Sequence, residues 1–263
     1  MVIWRFWLCC CLLILSFQSL ANELRIACAA NFAKPLEHLL TEFNKQVSIK
    51  PKVSIGASGV LYQQLRHGAP FDIFFSADTL RPKLLKQQEL IVDNAIATYA
   101  VGQLALWSNS KQTAISLSSL TNHQGRIAIA DPNIAPYGQA AKEVLVNHNL
   151  WQHFQHKLVI GHNINQTYQH TLSGAVDYGF ISYYQLLSSD RGTGVLIDPQ
   201  LHQPLEQQMV ILKSSKNIEL ARQLYQYVLS AEGQAIIAQY GYIQPSNTSD
   251  VDAATRATWP AEQ

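Results

Sequence analysis

Strand-like and helix-like segments alternate along almost the whole chain of 263 residues. The strand-like segments are short runs rich in β-branched and aromatic residues, bounded by turn-forming residues, which is the pattern of buried strands. This alternation predicts an α/β protein with mixed, mostly parallel sheets, because helices then cover the faces of each sheet. We predict strands at Leu24–Cys28, Val53–Ile55, Phe71–Ser76, Gly102–Trp107, Ile127–Ala130, Lys157–Ile160, Tyr178–Ser182, Val195–Ile197 and Met209–Lys213.

The segments between these strands show the spacing of amphipathic helices. In Phe32–Gln46 the apolar residues recur at steps of three and four, so that they share one helix face. Leu61–His67 is followed by Gly68, a residue that commonly ends helices. The same reasoning predicts helices at Ala140–Asn147, Ile218–Ser230 and Gly233–Tyr240.

Two apolar stretches, Tyr99–Trp107 and Gln208–Leu212, could carry the chain from one sheet to a second and back. We therefore predict two lobes with a ligand cleft between them, at the carboxyl ends of the strands. The first lobe would comprise residues 22–100 and 208–245, and the second residues 101–207. Residues 246–263 are polar and aperiodic, and are predicted to form a C-terminal tail.

The first 21 residues are predicted to be a cleavable signal peptide. Arg5 supplies a positive charge, Leu8–Phe17 is an almost unbroken apolar run, and Ser19 and Ala21 are small residues at the cleavage positions. The apolar run is shorter than the roughly 20 residues that a membrane-spanning helix needs. The mature chain would then begin at Asn22 and be exported.

The balance of charge argues against nucleic acid as a partner. The chain has 19 Lys and Arg and 18 Asp and Glu, so removal of Arg5 with the signal peptide leaves 18 of each. No basic tract is present to bind a polyanion. Of the four cysteines, only Cys28 would remain in the mature chain, which excludes an internal disulfide and, in its apolar surroundings, predicts a buried thiol.

Four segments share one pattern: a strand end, then a small or amide-bearing residue, then the start of a helix. A helix N-terminus leaves backbone N–H groups without intrahelical partners and carries about half a positive charge, so four of them could balance a dianion without Arg or Lys. Each segment alone is more typical of an ordinary helix cap than of a ligand contact, and the hypothesis depends on their recurrence. The segments are Ala29–Phe32, Gly56–Leu61, Asp131–Gly138 and Gly161–Asn165.

These segments also resemble a known family. Ala29-Ala30-Asn31-Phe32, Gly56-Ala57-Ser58-Gly59, the block from Gly68-Ala69-Pro70 to Ser76-Ala77-Asp78, and Pro136-Tyr137-Gly138 are similar to the periplasmic molybdate-binding proteins. The resemblance implies a two-lobed fold of the class II periplasmic-binding type. It implies a monomeric periplasmic protein without cofactor or catalytic activity, which captures molybdate or tungstate and delivers it to the permease of an ABC importer in the inner membrane.

The resemblance also implies a set of ligand-binding residues. Asn31 and Ser58 would contact the oxyanion from the first lobe, and Ala30 would add a backbone donor. Tyr137 and Ile164 would contact it from the second lobe, Ile164 through its N–H. Molybdenum would be bound only as its oxyanion, with no direct metal ligand. Some relatives place a tyrosine hydroxyl where this chain has Ser182, and the phenol of Tyr137 could replace it.

Two other classes of function remain as alternatives. A serine hydrolase could use Ser58, but Val60 stands where the G-x-S-x-G motif requires glycine. A transition-metal carrier could use His148, His153, His156 and His162, but their spacing matches no ligand motif.

Other solutes are the remaining alternative. An amino acid would require an Arg–carboxylate pair for the zwitterion, and phosphate would require an acceptor for its proton. Sulfate, like molybdate, needs donors only, so the residues leave these two anions open and the resemblance favours molybdate.

Overall fold

The computed structural model describes residues 23–110 and 114–245. The predicted signal peptide, residues 1–21, and the predicted tail, residues 246–263, lie outside the described residues.

Ten strands form two sheets of five strands each within these ranges. The strands are β1 (Glu23–Ala29), β2 (Lys50–Gly56), β3 (Ile73–Phe75), β4 (Ile91–Gly102), β5 (Leu104–Ser108), β6 (Ile127–Ala130), β7 (Leu158–Gly161), β8 (Tyr178–Ser182), β9 (Thr193–Leu196) and β10 (Leu205–Leu212). The first sheet has the order β2-β1-β3-β10-β4 and the second has the order β7-β6-β8-β5-β9. The predicted α/β, two-lobed architecture is therefore confirmed.

Parallel pairing is confined to the part of each sheet that bears the cleft. In the first sheet β1 pairs in parallel with β2 and β3, and in the second β6 pairs in parallel with β7 and β8. The pairings of β10 and of β5 with their neighbours are antiparallel. The sheets are mixed, as predicted, but parallel pairings do not predominate, because one strand of each sheet, β10 in the first and β5 in the second, runs against the others.

Nine α-helices accompany these strands in the described ranges. They are α1 (Ala33–Gln46), α2 (Ser58–Arg66), α3 (Leu80–Gln87), α4 (Pro136–Asn147), α5 (Trp151–Phe154), α6 (Ile164–Leu172), α7 (Tyr183–Ser188), α8 (Ile218–Leu229) and α9 (Ala231–Gln239). A short 3₁₀ turn, Ala30–Phe32, joins β1 to α1. Helix α2 ends as predicted, with Gly68 at φ 81° and the Ala69 N–H bonded to the Gln64 carbonyl at 3.0 Å.

The chain crosses between the sheets twice, along neighbouring strands. It leaves the first sheet at the end of β4 and enters the second at β5 after the single residue Gln103. It returns along β10, which pairs with β4 so that Leu205 lies opposite Gly102 and Gln207 opposite Ala100. We call this antiparallel pair of strands, β4 and β10, the hinge segment. The lobe boundaries given from the sequence remain a prediction.

Apolar side chains are buried on both faces of the first sheet. Cys28 and Phe75 face the cluster that includes α1 and α8, while Ala27 and Phe74 face the cluster that includes α2. Cys28 is fully buried and burial raises its pKa, as expected for an inert thiol. A separate cluster around Ile129, Val144 and Phe180 fills the second lobe. None of the helices in the described ranges is long and apolar enough to cross a membrane.

Candidate functional site

A small cavity lies between the two sheets. Its walls are the loops that follow β1, β2 and β3 on one side and β6 and β7 on the other, so it is formed at the carboxyl ends of parallel strands, where ligands bind in open α/β sheets. The lining residues are Ala29, Ala30, Asn31, Gly56, Ala57, Ser58, Ala77, Ala135, Pro136, Tyr137, Asn163 and Ile164. All five site residues predicted from the sequence line this one cavity.

The cavity has no charged side chain among its lining residues. Its polar groups are backbone amides and the side chains of Asn31, Ser58, Tyr137 and Asn163. Burial raises the pKa of the Tyr137 hydroxyl, which keeps this group neutral at physiological pH. An ion held here would therefore be bound by hydrogen bonds rather than by a counter-ion.

Helix α6 leaves one N–H of its first turn for the cavity. The side-chain oxygen of Asn163 accepts hydrogen bonds from the N–H groups of Asn165 at 3.0 Å and Gln166 at 3.1 Å. The Thr167 N–H donates to the Asn163 carbonyl at 3.1 Å. Within the described part of the chain, the N–H of Ile164 has no such partner, and Ile164 lines the cavity.

Helix α4 also leaves one backbone N–H of its first turn without a hydrogen-bond partner among the described residues. Pro136 has no N–H, and the N–H groups of Gly138 and Gln139 both donate to the Ala135 carbonyl, at 2.9 and 3.1 Å. The donor that remains in this turn is the N–H of Tyr137. Both predicted contacts of the second lobe are thus first-turn residues whose backbone N–H groups have no hydrogen-bond partner within their helix.

Ser58 contributes from helix α2. It is the first residue of the helix and is 1% exposed. Its Oγ accepts a hydrogen bond from the Ala77 N–H at 2.9 Å, which leaves the hydroxyl proton available as a donor. The hydroxyl does not cap its own helix, since the N-cap position belongs to Ala57.

Asn31 lines the cavity, but its side chain is engaged elsewhere. Its amide nitrogen donates to Gln207 Oε1 at 2.8 Å and to Tyr242 Oη at 3.1 Å. Both amide protons are therefore used inside the first lobe, which differs from the predicted side-chain donor. A donor to the cavity from this segment would be a backbone N–H of the Ala30–Phe32 turn.

The phenol of Tyr137, considered as a replacement donor, accepts a hydrogen bond from another side chain. Its Oη lies 3.3 Å from Gln207 Nε2, at the hinge segment. Ser182 caps helix α7 instead of lining the cavity, and its capping partner Gln185 donates to Asn165 Oδ1 at 2.9 Å. Gln185 thereby fixes the Ile164 turn.

Sequence reasoning missed both Gln185 and Gln207. The sequence offered little signal, since Gln185 is one amide within a helix start and Gln207 stands between the polar residues Glu206 and Gln208 of β10. Such residues are rarely buried without a partner, and these two are 7% and 0% exposed.

Two hydrogen bonds hold the lobes together beside the cavity. The Gly59 N–H donates to the Ile134 carbonyl at 2.8 Å, and Arg81 Nη2 donates to the Asn133 carbonyl at 3.2 Å. Both acceptors belong to the turn between β6 and α4. The structure is therefore a closed form, in which residues of the first lobe are hydrogen-bonded to this turn of the second lobe.

The arrangement offers no support for the hydrolase alternative. A serine nucleophile needs a base in hydrogen-bonding reach, and the hydrogen-bond partner of Ser58 Oγ is the backbone N–H of Ala77. Histidine is missing from the residues that line the cavity. Elsewhere in the described ranges, no group of three or more His, Cys, Asp or Glu side chains is placed to hold a metal ion.

Comparison with known proteins places the chain in a family. Residues 24–243 match the family described as bacterial extracellular solute-binding protein. The molybdate-binding protein ModA of Rhodobacter capsulatus is 33% identical over 230 residues, which are 87% of this chain and 91% of the relative.

Solved structures show the same relationship. The periplasmic molybdate-binding protein of Azotobacter vinelandii superposes with a TM-score of 0.81 at 33% identity, over 85% of this chain and 100% of that chain. The sulfate-binding protein SubI of Mycobacterium tuberculosis shares the fold, with a TM-score of 0.71 at 12% identity, over 91% of this chain and 92% of that one. The chain therefore belongs to the bacterial extracellular solute-binding protein family, together with the molybdate-binding proteins that it resembles.

Proposed function

We propose that this protein captures a tetrahedral oxyanion, molybdate or tungstate, and delivers it to an ABC importer. The observation that carries the proposal is the set of unused donors. Helices α4 and α6 each leave one first-turn N–H, and helix α2 adds the Ser58 hydroxyl, around one cavity without charged lining residues. Donors from both lobes surround the space, as a buried anion requires.

The charge of these helix ends suits a dianion. Each N-terminus carries about half a positive charge, so the ends of α2, α4 and α6 with the Ala30–Phe32 turn amount to about two charges. The donors are fixed by the hydrogen bonds of their own turns and need little reordering when an anion binds. Burying a dianion without such donors would cost far more than the site could return.

Among anions of this size, the donor set favours those that carry no proton at neutral pH. Phosphate keeps a proton and would need an acceptor carboxylate, which the lining residues do not provide. Sulfate would satisfy the same donors and is the second candidate. The similarity to proteins named for molybdate supports the larger anion, since the sulfate-binding neighbour is only 12% identical.

The remaining attributes follow from the family and the sequence. Residues 1–21 would direct export to the periplasm, where the mature protein would meet the permease of the inner membrane. The protein would act as a monomer without cofactor or catalysis, through a first lobe of residues 22–100 and 208–245 and a second of residues 101–207.

Calorimetric titration of the mature chain with four sodium salts tests this proposal. We expect molybdate and tungstate to bind with one ion per chain, sulfate to bind at least tenfold more weakly, and phosphate to give no heat of binding. Thermal melting provides a second readout, because a ligand at about a hundred times its Kd adds about 2.7 kcal/mol of stability. Binding of phosphate without binding of molybdate would overturn the assignment.

A further inference from the structure

Five buried side chains form a hydrogen-bonded network beneath the cavity, at the hinge segment. They come from distant parts of the chain, and none is more than 6% exposed. We call this group the hinge network, and it consists of Asn31, Tyr99, Tyr137, Gln207 and Tyr242. Tyr99 lies on β4 and Gln207 on β10, the two strands along which the chain crosses between the lobes.

Gln207 joins the two lobes within this network. Its Oε1 accepts hydrogen bonds from Asn31 Nδ2 at 2.8 Å and from Tyr99 Oη at 3.0 Å. Its Nε2 donates to Tyr137 Oη at 3.3 Å. An amide accepts at one end and donates at the other, so neither an ionised carboxylate nor an aliphatic side chain could make the same three contacts.

The hinge segment is shaped to allow this contact. A Cβ atom on Gly102 would overlap both the Tyr137 hydroxyl and Gln207 Nε2. Gly102 is the last residue of β4 and lies opposite Leu205 of β10. The absence of a side chain at this position therefore leaves the space in which the phenol and the amide meet.

We propose that Gln207 is a positioning residue for the anion site. Because Asn31 and Tyr137 both line the cavity, a residue that bonds to both sets the distance between the donor turns of the two lobes. Gln207 itself is absent from the cavity lining, so it would act without contacting a bound anion. This inference rests on the proposed function, and it makes affinity for the anion depend on a residue of the hinge segment.

A double-mutant cycle with Gln207→Leu and Tyr137→Phe tests the proposal, with affinity for sodium molybdate measured by calorimetry. Loss of one net hydrogen bond changes an equilibrium constant roughly fivefold. We expect Gln207→Leu, which loses bonds to both lobes, to weaken binding at least tenfold. The double variant should bind no more weakly than the weaker single variant, because both changes break the same link.

The chain offers a matched control pair. Gln88 Nε2 donates to Tyr62 Oη at 3.0 Å in the first lobe, away from the cavity. Gln88→Leu and Tyr62→Phe remove a bond of the same chemistry and should leave molybdate affinity within twofold of the parent. Equal losses in the two pairs, or additive losses in the hinge pair, would overturn the positioning role.

Gln207→Met keeps a side chain of similar length and serves if Gln207→Leu does not fold. A thioether cannot donate to Tyr137 and is only a weak acceptor, so we expect its affinity to fall at least tenfold as well. Parent-level affinity in this variant would contradict the proposal. If the parent protein binds none of the anions, the proposed function fails. If the parent binds molybdate and the Gln207 variants bind it equally well, only this inference is rejected.

Discussion

Replacing Ile164 with proline should weaken molybdate binding roughly 10- to 150-fold, since a hydrogen bond to a charged group contributes about 1.5–3 kcal/mol. Proline deletes the one first-turn N–H of α6 that has no partner in the described structure. The fold should tolerate the change, because proline is common at the first helical position. Asn163 is already extended, at φ −157° and ψ 175°, as a residue before proline prefers.

Ile164→Val is the matched control for this substitution. It keeps the N–H and most of the buried side chain, so it should change affinity less than threefold while lowering stability by about 0.5–1.5 kcal/mol. Circular dichroism and melting of both variants without ligand would confirm that they fold. If the proline variant folds and binds molybdate as tightly as the valine variant, the Ile164 N–H does not contact the anion.

Gly59→Val should weaken the binding of molybdate without lowering the stability of the ligand-free protein. A Cβ atom at this position would lie 2.9 Å from both the Cα and the carbonyl oxygen of Ile134, so the two lobes could not close as they do here. Forcing extra atoms into such a contact costs about 1–3 kcal/mol, or roughly a 5- to 150-fold loss of affinity for molybdate. We expect the ligand-free protein to be mostly open, so that Gly59 does not contact Ile134 there. Gly59 is helical, and a residue with a side chain is more favourable there by a few tenths of a kcal/mol, so the ligand-free protein should melt no earlier.

Gly138→Ala provides the contrast for this prediction. Its Cβ atom would overlap the carbonyl group of Ala130 within the same lobe, so it should lower the melting temperature of the ligand-free protein. Small-angle scattering would complete the comparison: the parent should become more compact when molybdate is added, and Gly59→Val should not. Equal compaction and equal affinity in the parent and Gly59→Val would show that closure does not involve this contact.

The fold was predictable where the sequence pattern is local. The strands Ile127–Ala130 and Tyr178–Ser182 were predicted with the bounds that the structure shows, because buried β-branched and aromatic runs end at clear turn residues. The strand Ile91–Gly102 was missed over most of its length, because polar Asp93 and Asn94 interrupt its apolar residues.

The sequence did not predict three of the described helices, Leu80–Gln87, Trp151–Phe154 and Tyr183–Ser188, and it predicted only the start of a fourth, Ile164–Leu172. Leu80–Gln87 contains Pro82, which is typical of a helix break but lies in the first turn here, where proline is tolerated. Ile164–Leu172 buries Thr167 and Thr171 in place of apolar residues, so its inward face has no hydrophobic periodicity. The equal share of antiparallel pairing also escaped prediction, since the direction of β10 depends on the crossing between the sheets and not on its own residues.

The location of the candidate site was predictable because helix N-termini are defined by short segments. Ala30, Asn31, Ser58, Tyr137 and Ile164 meet at one cavity, as expected of turns at the carboxyl ends of parallel strands. The side-chain partners were not predictable. Asn31 and Gln207 are 176 residues apart, and no local pattern indicates that the amide of one is bound by the other.

Crystals of the mature protein grown with sodium molybdate, with anomalous scattering measured at the molybdenum absorption edge, test the central claim most directly. We predict one molybdenum peak per chain, in the cavity between the lobes. The oxygens around it should lie about 2.7–3.2 Å from the Ile164 and Tyr137 nitrogens and from Ser58 Oγ, with no protein atom bonded to the metal. A molybdenum peak outside this cavity, or one coordinated directly by a side chain, would contradict the account.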